Sequence, residues 1–435
     1  MKEMNQQEKD WYRLDNSAKI YPAIVNDRQT TLFRVAFTLK EEINPDVLQA
    51  ALEKINPRFP YFNVSLRNGF FWNYLERNYD LPSVHCDTPS PCENINKIYN
   101  NGFLYKILYF KNRIAVEFSH VMSDGYGALE YAKTLVLEYL RLSGHNIEND
   151  GSIFNIEAEP DPGEFLDDHI RYTRIYGKPT EEEKERNLFG NIKAFLVKGR
   201  VLPADIFNVI TGIVPFDKIR SVSKSYDATI TEFLVAIYLE SLIEVQRRQV
   251  KNPAKYKSVA VQVPVNMRTR LESSSMRNFS LFVTPTLNPP KFPDFDELVP
   301  FTRDFIREYT KTNRLVNIMR DNVSVGESPL VRHVPLFLKL PITRYIVNTS
   351  GSSQHSGTLS NLGPVKIPPG MVEHVDEITC NLSPDPHAKT SAAVLGYNGN
   401  IYITFGRVIK DPIIERLVFK RLIKFGIPVR IQSNC

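Results

Sequence analysis

Two segments far apart in the chain carry the same local pattern, and together they constrain the fold more than any other feature. In the first, residues 104–110 and 113–119 flank Lys111-Asn112 and read as a β-hairpin, Asn being suited to the positive φ of a tight turn. A helix over residues 127–142 follows, with Leu129, Ala132, Val136 and Leu140 along one face. In the second, residues 392–397 and 400–405 flank Asn398-Gly399, the preferred two-residue hairpin turn. A helix opened by Asp411-Pro412 and closed by Gly426 comes next. The connecting heptapeptides are Phe118-Ser119-His120-Val121-Met122-Ser123-Asp124 and Phe405-Gly406-Arg407-Val408-Ile409-Lys410-Asp411, identical at three of seven positions. His120 answers to Arg407 and Asp124 to Asp411, which suggests a duplicated architecture in which only the first copy retains a histidine.

The rest of the chain mixes strands and helices without a regular βαβ rhythm, pointing to an α+β fold with mixed sheets. Residues 31–39 read as a strand, and Asn44-Pro45-Asp46-Val47 opens a helix that runs through Ile55. Thr229-Ile230-Thr231-Glu232 is a capping box ahead of an apolar helix to about residue 247. Val259, Val261 and Val263 alternate in a strand ending near Pro264. At 435 residues two halves are expected. The polar, weakly periodic stretch from 145 to about 200 reads as the connection, giving residues 1–195 and 196–435.

Composition removes several classes of function. Hydrophobic residues at 42% and charged residues at 24% exclude a disordered or fibrous chain. A net charge of +5 over this length permits a polyanionic small ligand but not a dedicated nucleic-acid binder. The polar start has no apolar segment behind it, and no apolar run is long enough to insert stably in a membrane, so a cytoplasmic location is expected. Cys86, Cys92, Cys380 and Cys435 lack zinc-ligand spacing and are expected as reduced thiols, although a Cys86–Cys92 bridge is open.

The first heptapeptide continues into His120-Val121-Met122-Ser123-Asp124-Gly125. Ile114, Val116 and Phe118 form the apolar face of the strand feeding it, and parity puts the His120 side chain on that inward side. Two readings fit: a core histidine beside an Asp-Gly turn, or an acid–base group placed by the strand. There is no Gly-x-Ser-x-Gly elbow, no phosphate-binding Gly-x-x-x-x-Gly-Lys-Ser/Thr loop and no His-Glu-x-x-His helix. A metal at His120 and Asp124 needs further ligands and the other histidines are scattered, so no metal is expected. The run from Thr349 to Gly357 fits a connector better than an anion nest, and Asp167-Asp168 fits a solvated surface.

The His120-to-Gly125 motif at a strand end resembles the active-site His-x-x-x-Asp-Gly of the coenzyme-A-dependent acyltransferase superfamily. That superfamily spans chloramphenicol acetyltransferase, condensation domains, plant acyltransferases and polyketide-associated acyltransferases. Three further elements resemble its alcohol acetyltransferase-like branch, in the right order. They are Trp11-Tyr12-Arg13-Leu14-Asp15-Asn16 with Ile20-Tyr21-Pro22; Val263-Pro264-Val265-Asn266-Met267-Arg268 with Arg277-Asn278-Phe279; and Leu359-Ser360-Asn361-Leu362-Gly363-Pro364-Val365.

The resemblance implies two chloramphenicol-acetyltransferase-like halves, a pseudo-dimer with a tunnel between them, for which a monomer suffices. It implies His120 as the catalytic base, Asp124 as its structural partner and Gly125 as the residue that lets the backbone turn. Many relatives have two adjacent histidines where this chain has Ser119-His120; the second is the catalytic one. Acyl-CoA, or acyl-phosphopantetheine on an acyl carrier protein, is the implied co-substrate, with an alcohol or amine as acceptor and no bound cofactor. Ser360 and Asn361 are candidates for oxyanion or donor contacts, or simply shape a turn. Arg268 either pairs with Asp124, contacts a donor phosphate or faces solvent. The expected activity is acyl transfer to an alcohol. Condensation with a carrier-bound donor, or a silent binding module of the same fold, are the alternatives.

Overall fold

The computed structural model describes residues 10–177, 180, 193–289, 291–351 and 354–434. Local sequence signals set most element boundaries. Asn44 caps helix Pro45–Ile55 by accepting from the backbone N–H groups of Asp46 and Val47. Thr229 and Glu232 make both bonds of the capping box on helix Ile230–Gln249. The first hairpin pairs Tyr105–Phe110 with Arg113–Ser119, but the positive φ of its turn falls on Lys111 rather than Asn112. The second pairs Thr390–Tyr397 with Asn400–Arg407, and Asn398 and Gly399 both take positive φ as the turn requires.

The strands form two large mixed sheets and a small one. The first runs in the order Val375–Asn381, Leu32–Leu39, Arg113–Ser119, Tyr105–Phe110, Val84–Cys86. The second has eight strands, with Gly357–Pro364 at its centre running parallel to both Val259–Asn266 and Thr390–Tyr397. Two hydrophobic clusters accompany these sheets. One strand crosses between the halves of the sequence: Val375–Asn381 lies antiparallel on Leu32–Leu39, at the edge of the first sheet.

Three expectations are corrected. The Val259 strand does not stop at Pro264 but continues to Asn266, because Ser280–Val283 pairs alongside it. Asp411 does not cap the last helix, Ile413–Lys424: Pro412 takes the cap position with no side-chain cap bond, and the Asp411 carboxylate pairs with Arg416 instead. The connection from residue 145 contains a helix, Asp168–Tyr176, and Asp167-Asp168 is not a solvated pair. Asp168 is 1% exposed and Asp167 accepts from the Asn16 and Ile170 amides, because this helix start is folded against the chain's first segment. Ser352 and Ser353 of the Thr349–Gly357 run, and residues 178–179 and 181–192 of the connection, lie outside the described residues. Cys86, Cys92 and Cys380 are free thiols. Among the described residues no helix is long and apolar enough to cross a membrane.

Candidate active site at the junction of the two halves

Strand Arg113–Ser119 ends on His120, whose backbone N–H donates to the Thr31 carbonyl at 3.1 Å. The imidazole lies on the strand's inward face, as parity requires. Its ring centroid is 4.5 Å from that of Phe33 and 5.2 Å from that of Tyr21, the latter nearly parallel at 20°. The ring is partly exposed, and its Nδ1 is buried with no hydrogen-bond partner. Burial lowers the imidazole's pKa below the ordinary 6.5 against the opposing pull of the Asp124 carboxylate, the Asn278 side chain and the Ser123 backbone. A neutral histidine results near pH 7, with a ring clamped by aromatic faces instead of a carboxylate.

The Asp124 carboxylate sits in a dense set of donors. It caps helix Gly125–Leu142 through the Gly127 amide. Its Oδ2 accepts from Arg268 Nη1 at 2.8 Å, the Phe279 amide at 2.9 Å and Ser280 Oγ at 3.1 Å. Desolvation would raise this carboxyl, but Arg268 and the two amides more than offset it and hold it below the usual carboxylate range. Arg268 also donates to Asn266 Oδ1 and to the Ser275 and Arg277 carbonyls, and lies over the Tyr126 ring. Of the roles open to Arg268, the geometry is that of a partner for Asp124; its guanidinium is turned inward and almost fully engaged by the protein.

Gly125 departs from the turn role. It has no positive φ; its constraint is closeness, since a Cβ there would stand 2.6 Å from Leu362 Cδ2. That contact brings the late strand Gly357–Pro364 against the motif. Ser360 is two residues before Leu362 on the same strand, just ahead of the register shift between Asn361 and Pro364. Asn361 is engaged locally: its Nδ2 donates to Thr231 Oγ1 and its Oδ1 accepts from the Gly363 amide, where φ is +77°.

Asp15, Tyr21 and Asn278 lie inside the motif elements of the sequence, where nothing local marks them for a role. Asn278 Nδ2 donates both to the His120 carbonyl and to buried Asp15 Oδ2, each at 2.9 Å, and so ties the chain's opening to the motif. His169, a fully buried histidine nearby, bonds Ser17 Oγ and packs on Phe279; burial takes its pKa down to about 4. Nothing in its local sequence signals that placement. Arg277, next to Asn278, lines a cleft of about 1310 Å³ that is bordered by six basic and four acidic side chains, Trp11 and Trp72. His120 does not line this cleft but is one hydrogen bond from the residue after Arg277. In the second half, Arg407 stands where His120 does in the first and makes a buried ion pair with Glu415.

No family model and no curated protein matches the sequence. Solved structures do match over nearly the whole chain. Polyketide synthase associated protein 5 from Mycobacterium tuberculosis aligns with a TM-score of 0.59 at 12% identity, covering 94% of this chain and 96% of that one. The starter condensation domain of rhizomide synthetase, solved with C8-CoA and Leu-SNAC, gives 0.58 at 12%, covering 96% and 95%. The epimerization domain from the third module of tyrocidine synthetase B gives 0.56 at 10%, covering 92% and 91%. One fold therefore carries different reactions among these structures, and the reaction must be argued from the site. The chain has the α+β pseudo-dimer fold of the condensation domains and of the polyketide-associated protein.

Proposed function

We propose that the chain is an acyltransferase that moves an acetyl or longer acyl group from a coenzyme A thioester to an alcohol, with His120 as general base. The observation that carries this reading is a partly exposed imidazole, kept neutral by burial and fixed between Tyr21 and Phe33, at the seam where both halves meet. A thioester carbonyl is electrophilic enough to react without a covalent enzyme intermediate. It needs an acceptor hydroxyl that loses its proton to the imidazole as the oxygen attacks. The tetrahedral intermediate then collapses, expelling a thiolate that takes the proton back from the imidazolium. Asp124 holds the loop and helix that present His120 and does not itself move a proton. Ser360, on the strand whose Leu362 packs against Gly125, is our candidate donor to the oxyanion. Residues 1–195 and 196–435 are the two acyltransferase-like halves of this reading, with strand Val375–Asn381 lent to the first.

A second reading, a donor tethered to a carrier protein, draws on the cleft beside Arg277. Arg13 and Arg174 on its border are exposed and have no carboxylate partner among the described residues, which suits a phosphate-bearing pantetheine arm. The deciding experiment is free-thiol release from acetyl- and longer acyl-CoAs with a panel of alcohols and amines, comparing wild type with His120→Ala. Release that requires both an acceptor and His120 supports the first reading. Absence of release from every thioester overturns it in favour of a carrier-bound donor or a binding module, which a thermal shift with coenzyme A separates.

A further inference from the structure

Two of the histidines that are scattered in sequence meet in space, far from His120. The His145 and His374 rings lie with centroids 3.9 Å apart, and Glu41 Oε2 is 3.9 Å from His145 Nε2. One potential ligand atom from each of the three lies within 4.8 Å of the other two. We propose that Glu41, His145 and His374 form a binding site for a divalent transition metal of the zinc class, cross-linking three separate segments of the first sheet's surroundings.

The two imidazoles are positioned by backbone. His145 follows helix Gly125–Leu142 and its left-handed Gly144; its N–H returns to the Leu140 carbonyl and that of Gly144 to Arg141, a helix stop that fixes where the side chain leaves. The His374 carbonyl accepts from the Lys40 amide, beside the start of the pairing between Val375 and Leu39. Glu41 is the exposed member, its side chain 73% accessible. Tetrahedral ligand atoms at metal distances near 2.0 Å stand about 3.3 Å apart, so closure from the present separations asks for movements of about 1.5 Å or less. Two imidazole nitrogens and one carboxylate oxygen suit zinc and disfavour calcium or magnesium, with solvent completing the shell.

The site's place in the fold argues for a structural role. His374 immediately precedes strand Val375–Asn381, the one strand that the second half of the sequence lends to the first sheet. Glu41 follows the strand it pairs with, and His145 follows the helix that starts at the motif. A metal there would pin the lent strand to both, closing long loops beside the existing pairing and core contacts. With a rise of 1.5 Å per residue over 18 residues, the helix separates the site from Asp124 by about 27 Å, so the proposal is independent of the acyl-transfer reading.

The test titrates zinc chloride into the chelator-treated full chain by calorimetry, alongside His145→Ala, His374→Ala and Glu41→Gln. One equivalent should bind. Each histidine variant should weaken binding at least 100-fold and Glu41→Gln about 10-fold, with unchanged circular dichroism. Zinc should raise the Tm of wild type by roughly 1–3 °C and leave that of His374→Ala unmoved. Cobalt(II) added to wild type should give the visible bands of a tetrahedral nitrogen–oxygen site. Absence of binding to wild type, binding unchanged in both histidine variants, or cobalt–thiolate bands would each overturn the proposal.

Discussion

Asp124 and Arg268 are 144 residues apart in sequence and 2.8 Å apart in space, both nearly buried. The pair joins the motif helix to the strand Val259–Asn266 and its following turn, so it locks the two halves beside the candidate base. Removing one partner leaves the other charge buried without its counter-ion, which costs about 3–5 kcal/mol. Arg268→Met and Asp124→Ala are each expected to lower Tm by several degrees and to reduce turnover with it. The double variant should lose less than the sum of the two. An unchanged Tm for Asp124→Ala, measured by calorimetry, would remove the structural role assigned to it.

The same pair sets an acid limit. The folded pKa of Asp124 is below its unfolded value near 3.8, so its stabilisation is complete above about pH 4–5 and is lost as pH falls through the lower, folded value. Melting curves from pH 7 to pH 3 should show wild type losing Tm more steeply at the acid end than Asp124→Asn, which has no carboxylate left to protonate. Parallel curves would count against it.

His120 makes the opposite demand on rate. Its pKa is lowered, so the base form persists below the usual imidazole range and kcat/KM should keep its plateau down to an acid limb under pH 6.5. His120→Ala should cost 10²–10⁴-fold in kcat/KM or more, with Tm nearly unchanged because the ring is partly exposed. A limb at pH 7 or above would contradict a base whose pKa is lowered, and residual activity near wild type would end the mechanism.

Two glycines of the motif helix separate tolerance from clash. A Cβ on Gly125 meets only Leu362 Cδ2, the tip of a flexible side chain, at 2.6 Å. On Gly127 it meets the Met276 carbonyl at 2.5 Å and Ser123 Oγ at 2.2 Å. Gly127→Ala should therefore cost about 1–3 kcal/mol, since a backbone carbonyl must move. Gly125→Ala should cost less stability but displace Leu362 toward the site and lower turnover. Chemical denaturation of both variants checks the order, and equal losses would refute it.

The parts of the fold legible in the sequence were those set by short-range physics. Asn398-Gly399 could make only one kind of turn, and Thr229 with Glu232 satisfied orphan amides that any helix start exposes. The His120 parity was legible because strand alternation is strict. What stayed hidden depended on partners distant in sequence. Pro264 signals a strand end locally, but Phe282 pairs opposite it and the strand continues. Asp167-Asp168 read as surface because two adjacent carboxylates are normally solvated, and only the fold of Asn16 back onto them buries the pair. Nothing local foretold that Val375–Asn381 would cross to the first sheet, nor that His145 and His374 would touch.

Asn278 is the remaining link between the chain's opening and the motif. Its side-chain amide serves the His120 carbonyl and the Asp15 carboxylate at once, and its backbone N–H also faces Asp15 Oδ2 at 3.4 Å. Asn278→Ala leaves two buried acceptors each short of a donor, at about 1–3 kcal/mol for each unsatisfied group. The His120 backbone keeps its bond to Thr31, so the imidazole stays near its place and kcat/KM should fall by less than in His120→Ala. The loss should appear in kcat with KM little changed, as expected of a positioning residue. Asn278→Asp should be worse than alanine: it sets a second carboxylate against Asp15, whose own pKa burial already raises. Denaturation midpoints in the order wild type, alanine, aspartate are the expected result, and an aspartate variant as stable as wild type would show that this bridge does not hold the site together.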